Sequence, residues 1–135
     1  MKGSDCMSII KNVNINIQGT RCKTEKDLYF YQNDAGITLN VTIANVEVTI
    51  SKVYSFFNLD DFSSVDILIL KPNKKSICLK EVSIIDGVIK FDITKSLTDI
   101  VGEYSFQIRL LGEENSKMTI PPCKYTILEP IAIYD

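Results

Sequence analysis

Val82-Ser83-Ile84-Ile85-Asp86-Gly87-Val88-Ile89-Lys90-Phe91-Asp92-Ile93 is the stretch that decides the fold class. It sets Asp-Gly between two β-branched runs, the strongest short-range signal for a β-hairpin. Both central residues of a type I′ turn need φ > 0, which Asp and Gly accept at least cost. Folding the chain at Asp86-Gly87 pairs Ile85 with Val88, Ile84 with Ile89, Ser83 with Lys90 and Val82 with Phe91. Val82, Ile84, Ile89, Phe91 and Ile93 then share one face, and Glu81, Ser83, Lys90 and Asp92 the other. A slip of one residue would mix the faces, so burial specifies the register. Glu81 opposite Asp92 is a like-charge pair and a small cost.

Outward from the hairpin the same period-two pattern recurs. Residues 65–71 are apolar on both faces, Val65, Ile67 and Ile69 against Leu68 and Leu70. Such a strand sits centrally or under a partner surface. Residues 71–75 form a turn, with Asn73 suited to a left-handed conformation. On the other side, residues 94–101 space Leu97, Ile100 and Val101 as one helical turn would, ended by Gly102. Tyr104, Phe106, Ile108 and Leu110 then alternate with polar residues. Tyr104 stands where sandwich folds place a corner tyrosine bonded back to the backbone. Pro121-Pro122 marks an edge or a break before a last strand of Cys123, Tyr125 and Ile127.

Nearer the start, Val13, Ile15 and Ile17 alternate with Asn12, Asn14, Asn16 and Gln18, a half-buried strand. Residues 19–26 read as a polar connection, 28–32 as a short strand, 33–36 as a turn and 37–43 as another strand. Val46, Val48 and Ile50 suggest a further short strand. Residues 51–62 read as a loop whose aromatics fold back on the core. In the alternative, Tyr54, Phe56 and Phe57 dock a partner, since aromatics are enriched at interfaces. Asn58, Asp60 and Asp61 lack the dense spacing of a calcium loop. Seven to nine short strands fit an all-β, immunoglobulin-like antiparallel β-sandwich; a small closed β-barrel is the alternative. The 135 residues read as one domain: an arm with an extra strand over 1–25, a core sandwich over 26–130 and an apolar tail over 131–135.

Composition narrows the function classes. The chain is 45% hydrophobic and 24% charged, with net charge −2. It lacks the basic footprint that nucleic acid or an anionic membrane asks of a partner. Histidine is absent, so no Ser-His-Asp or Cys-His arrangement can form, and the commonest metal ligand is missing. No cofactor, metal or catalytic residue is expected. The start reads as no signal peptide, and no run has the length of a membrane span. Assembly in a cytoplasm is the default. Cys6, Cys22, Cys78 and Cys123 are too widely spaced for a zinc site. Cys78 and Cys123 share parity with inward residues and read as buried, reduced thiols. A Cys78–Cys123 bridge is the minor alternative. At the termini, Ile9 and Ile10, and Ile131, Ile133 and Tyr134, are apolar where free ends are normally polar. With Tyr54, Phe56 and Phe57 they form the candidate interface. The equal alternative is that both ends dock on their own sheets, as terminal strands do.

The order of motifs from residue 26 to 130 resembles the N-terminal domain of the upper baseplate proteins of tailed bacteriophages. The similarity rests on Gln32-Asn33-Asp34 before an alternating strand and on Asn58-Leu59-Asp60-Asp61-Phe62-Ser63-Ser64-Val65. It continues through Lys71-Pro72-Asn73, the Asp86-Gly87 hairpin, Gly102-Glu103-Tyr104 and Thr119-Ile120-Pro121-Pro122. The resemblance implies a non-enzymatic virion structural protein that anchors host-recognition machinery to a tail, baseplate or tail-like particle. Its partners would be other tail or virion subunits in an oligomeric assembly, put together in the bacterial host cytoplasm. Members of that family usually continue into a stalk or receptor-binding region, and this chain ends at Asp135, so an adaptor role is expected. The alternative is an immunoglobulin-like module for a cell-surface carbohydrate. A glycan platform of tryptophan is missing.

Overall fold

The computed structural model describes residues 9–47, 53–56 and 59–131. Among the described residues twelve strands run β1 (Ile9–Gln18), β2 (Arg21–Thr24), β3 (Tyr29–Tyr31), β4 (Ile37–Glu47), β5 (Val53–Phe56) and β6 (Ser64–Leu70), then β7 (Ser76–Val82), β8 (Ile84–Ile85), β9 (Val88–Ile93), β10 (Gly102–Leu111), β11 (Lys117–Thr119) and β12 (Cys123–Leu128). Short 3₁₀ turns fall at Leu59–Asp61, Lys95–Leu97 and Glu113–Asn115. One sheet has the order β2-β1-β4-β9-β8, with β5 also on β4; the other has the order β3-β12-β10-β6-β7, with β11 also on β10. The two pack as a sandwich and do not close into a barrel.

Each inner face is built from the alternation seen in the sequence. Val13, Ile15 and Ile17 meet Leu39, Val41 and Ile43 from one sheet; Ile67, Ile69, Tyr104, Phe106, Ile108 and Ile127 line the other, all buried. Burying one such aliphatic side chain contributes about 1.5–3 kcal/mol before entropy is counted. The space left between the sheets is about 20 Å³ with an apolar lining that includes Val13, Leu39, Ile67 and Phe106. Ligand pockets start at roughly 300 Å³, so no small molecule fits there. The outer face of the first sheet is wet. β1 and β4 run in register, which sets Asn12 beside Asn40 and Asn14 beside Thr42. Asn40 Nδ2 donates to Asn12 Oδ1 at 3.3 Å, and the Thr42 hydroxyl donates to Asn14 Oδ1.

The hairpin forms where expected. Ile84 pairs with Ile89 and Ile85 with Val88, and the turn residues Asp86 and Gly87 have φ of 52° and 74°. Beyond Ser83 the expectation fails. Val82 pairs with Val65, not Phe91, because β7 belongs to the opposite sheet. The chain changes sheet at Ser83, so Glu81 never faces Asp92. Glu81 instead sits at a β-bulge with φ of 55°, and its displaced N–H donates to Asp66 Oδ1 at 3.1 Å. The bulge adds one residue and reverses parity along β7. Ile77 and Leu79 pack on the core, and Cys78 is exposed, not buried. Cys78 also lies three strands away from Cys123. A Cys78–Cys123 bridge is therefore excluded.

Five further corrections concern strand pairing and connections. The sheets are mixed, not purely antiparallel: β1 runs parallel to β4, and β3 to β12. Residues 19–26 contain β2, which pairs with β1. The loop expected over 51–62 contains β5, paired with β4. β4 runs unbroken to Glu47, taking in Val46, while Val48 and Ile50 lie outside the described residues. In the turn 71–75 the left-handed residue is Lys74, with φ of 73°, not Asn73. Asn73 contributes by accepting the Lys75 N–H at 3.1 Å.

Candidate functional site

One end of the sandwich collects the features on which function can turn. The corner comes first. The 3₁₀ turn at Lys95–Leu97 drops Leu97 into the core at 1% exposure. The Tyr104 hydroxyl accepts the Ile100 N–H at 3.1 Å and donates to Asp99 Oδ1 at 3.4 Å, the tyrosine corner expected from the sequence. Tyr125 stacks on Tyr104 with centroids 4.7 Å apart and donates its hydroxyl to Leu97 O at 2.8 Å. Burial pushes the ionisation of both tyrosines above the ordinary phenol range. Lys71 Nζ meets Asp99 Oδ1 at 2.6 Å, and this bond holds the carboxyl below the usual carboxylate range. Thr98 Oγ1 donates to Asp34 O at 2.7 Å, and Asn33 N–H to Thr98 O at 2.9 Å. Gly102 is required here: its φ is 139°, and a Cβ would stand 3.0 Å from Pro72 Cγ. Among the described residues no buried side-chain nitrogen or oxygen lacks a partner.

Beside this closed corner lies an open edge. Asn14 O accepts the Glu25 N–H, and Asn16 and Gln18 pair with Lys23 and Arg21 of β2. By strand alternation Ile10 and Asn12 turn their N–H and C=O groups to the same side. No described strand pairs with them there. Ile9 and Ile10 are 65% and 61% exposed. Across the gap stands β3, the edge of the second sheet. Lys11 Nζ caps it by donating to Tyr29 O at 3.1 Å and lies 4.9 Å from the ring centres of Tyr29 and Phe30. Tyr29, Tyr31 and Leu128 expose their apolar surface on the same corner, and Ile131 beyond Leu128 is 91% exposed.

The expected interface therefore divides. Ile9 pairs with Ile37, and Tyr31, which pairs with Leu128, leads by a short turn into Ile37. Ile9, Ile10 and Ile131 thus leave the sandwich at one end. Tyr54 and Phe56 pair with Val46 and Ala44, at the far end of β4. Positions 38 and 46, opposite Ile10 and Tyr54, are roughly 26 Å apart at about 3.3 Å per residue. Phe57, Ile133 and Tyr134 lie outside the described residues. The sequence missed Tyr29, Tyr31 and Leu128. Their signal was a three-residue strand with aromatics on its outward face. Among the described residues no three Cys, Asp or Glu side chains converge as metal ligands, and no helix is long and apolar enough to cross a membrane.

The chain matches no protein-family model and no curated protein. Its fold is similar to a solved structure, the N-terminal domain of phage TP901-1 ORF48. That similarity has a TM-score of 0.52 at 8% identity and covers 87% of this chain and 97% of that one. The resemblance drawn from the order of turns and the similarity of the folded chain thus point to the same fold.

Proposed function

We propose that this chain is a non-enzymatic structural subunit of a phage tail, baseplate or tail-like particle. It acts as an adaptor that holds neighbouring subunits through protein–protein contacts. The observation that carries the proposal is the similarity of almost the whole chain to almost the whole of one phage domain. The turn motifs that resemble upper baseplate domains support it. The open edge supplies the means: backbone groups at Ile10 and Asn12 that no described strand takes up, exposed Ile9 and Ile10, and the apolar corner of Tyr29, Tyr31, Leu128 and Ile131. An edge of this kind recruits an extended segment as an added strand, with main-chain bonds for affinity and side-chain pockets for choice. The β5 end is a second contact on this proposal, so that one subunit spans two neighbours.

The alternative, a carbohydrate module, would use Tyr29 and Tyr31. Their rings stand at 83° to each other, and Lys11 covers one of them, so they offer no flat stacking platform. Immunogold labelling of particles released from producing cells, with an antibody to this chain, tests the proposal. Label at one end of the tail is the expected result. Label confined to soluble protein would overturn it.

A further inference from the structure

We propose that Cys22 and Cys123 are a disulfide site that joins the two sheets. Cys22 lies on β2, the edge of the first sheet, and Cys123 lies on β12 of the second. The chain separates them by 101 residues, yet the sulfurs are 2.7 Å apart, with the Cys123 thiol donating to Cys22. β2 and β12 are neighbours in space, with Cα atoms of the two strands within 8 Å of one another; a bridge closes unstrained at a Cα separation of about 4.4–6.8 Å. The strands there are pinned independently, Cys22 opposite Ile17 and Cys123 opposite Phe106. Neither thiol needs to search for the other.

The environments assign the order of events. Cys22 is half-buried at the rim of an open groove between β2, β3 and β12, whereas Cys123 is 2% exposed. The thiol bond from Cys123 lowers the Cys22 ionisation below the ordinary thiol range. The same bond, with burial, raises that of Cys123. Cys22 is thus the attacking thiolate. With a small disulfide RSSR as oxidant, Cys22 displaces one RS⁻ and becomes a mixed disulfide. Cys123 sulfur then attacks Cys22 sulfur, expels the second RS⁻ and yields its proton. Two protein thiols lose two electrons in total, and RSSR gains them to leave two RSH. In a reducing cytoplasm the pair stays as thiols; in an oxidising exterior it closes. On the proposed virion role, the staple sets after the particle leaves its host; the chemistry itself does not depend on that role.

The test uses the purified full chain and oxidised glutathione. After alkylation in denaturant and proteolysis, mass spectrometry should recover a peptide linking Cys22 to Cys123. The thermal midpoint should rise by roughly 5–15 °C, since the loop closed is long, and should fall back with dithiothreitol. Cys78→Ser should leave both effects intact, and Cys22→Ser should abolish them. Glutathione resting on Cys22 without the linked peptide, or a link that forms only in denaturant, would overturn the proposal. Because it uses isolated protein, failure here is distinct from failure of the particle to contain the chain.

Discussion

The corner around Tyr104 and the edge around Ile10 sit at the same end of the sandwich, and they are built on opposite terms. At the corner, polar groups are answered from within: Ile100 N–H by the Tyr104 hydroxyl, Leu97 O by the Tyr125 hydroxyl and Asp34 O by Thr98. At the edge, Ile9, Ile10 and Ile131 expose most of their surface, and β1 offers backbone groups that no described strand takes up. Apolar residues at the corner are accounted for by the fold. Those at the edge bury little within the described domain, and on the proposed function a partner covers them.

Substitutions can sharpen or break this contrast. The largest effect is expected at Leu97, the buried plug of the corner. Leu97→Ala should lower stability by about 2–5 kcal/mol, the usual range for an aliphatic core truncation, measured by urea denaturation. Tyr104→Phe keeps the ring stack and removes the hydroxyl, leaving the Ile100 N–H unanswered. A loss of about 1–3 kcal/mol is expected in the same assay. An unchanged midpoint for either variant would mean that the corner does not hold this end of the fold.

A smaller effect follows from Asp99. Its carboxyl ionises below the unfolded value because Lys71 bonds it. A depressed acid adds stability above the unfolded value, near pH 4, and that part is lost as pH falls through the folded value. Asp99 is 42% exposed on its side chain, so solvent screens the pair and the contribution is modest. Asp99→Asn should lower stability modestly in the neutral range and converge on the parent at low pH, which flattens the acid limb of a stability–pH curve below about pH 4. The tyrosines act at the other limit. Their raised ionisation keeps the folded forms neutral, so stability is full below the unfolded value near pH 10 and falls as pH rises above it.

The contrast also marks what sequence reasoning reaches. Period-two alternation named the inward residues of β1, β10 and β12, and the Asp86-Gly87 turn was legible because few residues accept its φ angles. Alternation says which face a residue takes, not which strand lies beside it, so the parallel pairing of β1 with β4 stayed hidden. The bulge at Glu81 broke the parity count and turned Cys78 outward; the partner that takes up its displaced N–H, Asp66, stands fifteen residues earlier, where alternation gives no sign of it. β2 was missed because a short, charged edge strand has no apolar face to announce it. The Cys22–Cys123 pair went with it. Ile9 and Ile10 were visible as apolar residues near a terminus, but their company with Tyr29 and Tyr31 needed the crossing of the chain from one sheet to the other.

The smallest stability effect is the most telling one. Ile9→Lys with Ile10→Lys places charge on the open edge, the device by which natural sheets block strand addition. Stability should stay within about 0.5 kcal/mol of the parent, because neither side chain is packed. The decisive measurement is the fraction of this double variant that co-sediments with assembled particles, relative to the parent chain, alongside its urea midpoint. An unchanged midpoint with incorporation lost is the predicted result. Full incorporation, or a collapsed midpoint that puts the two isoleucines inside the fold, would contradict it.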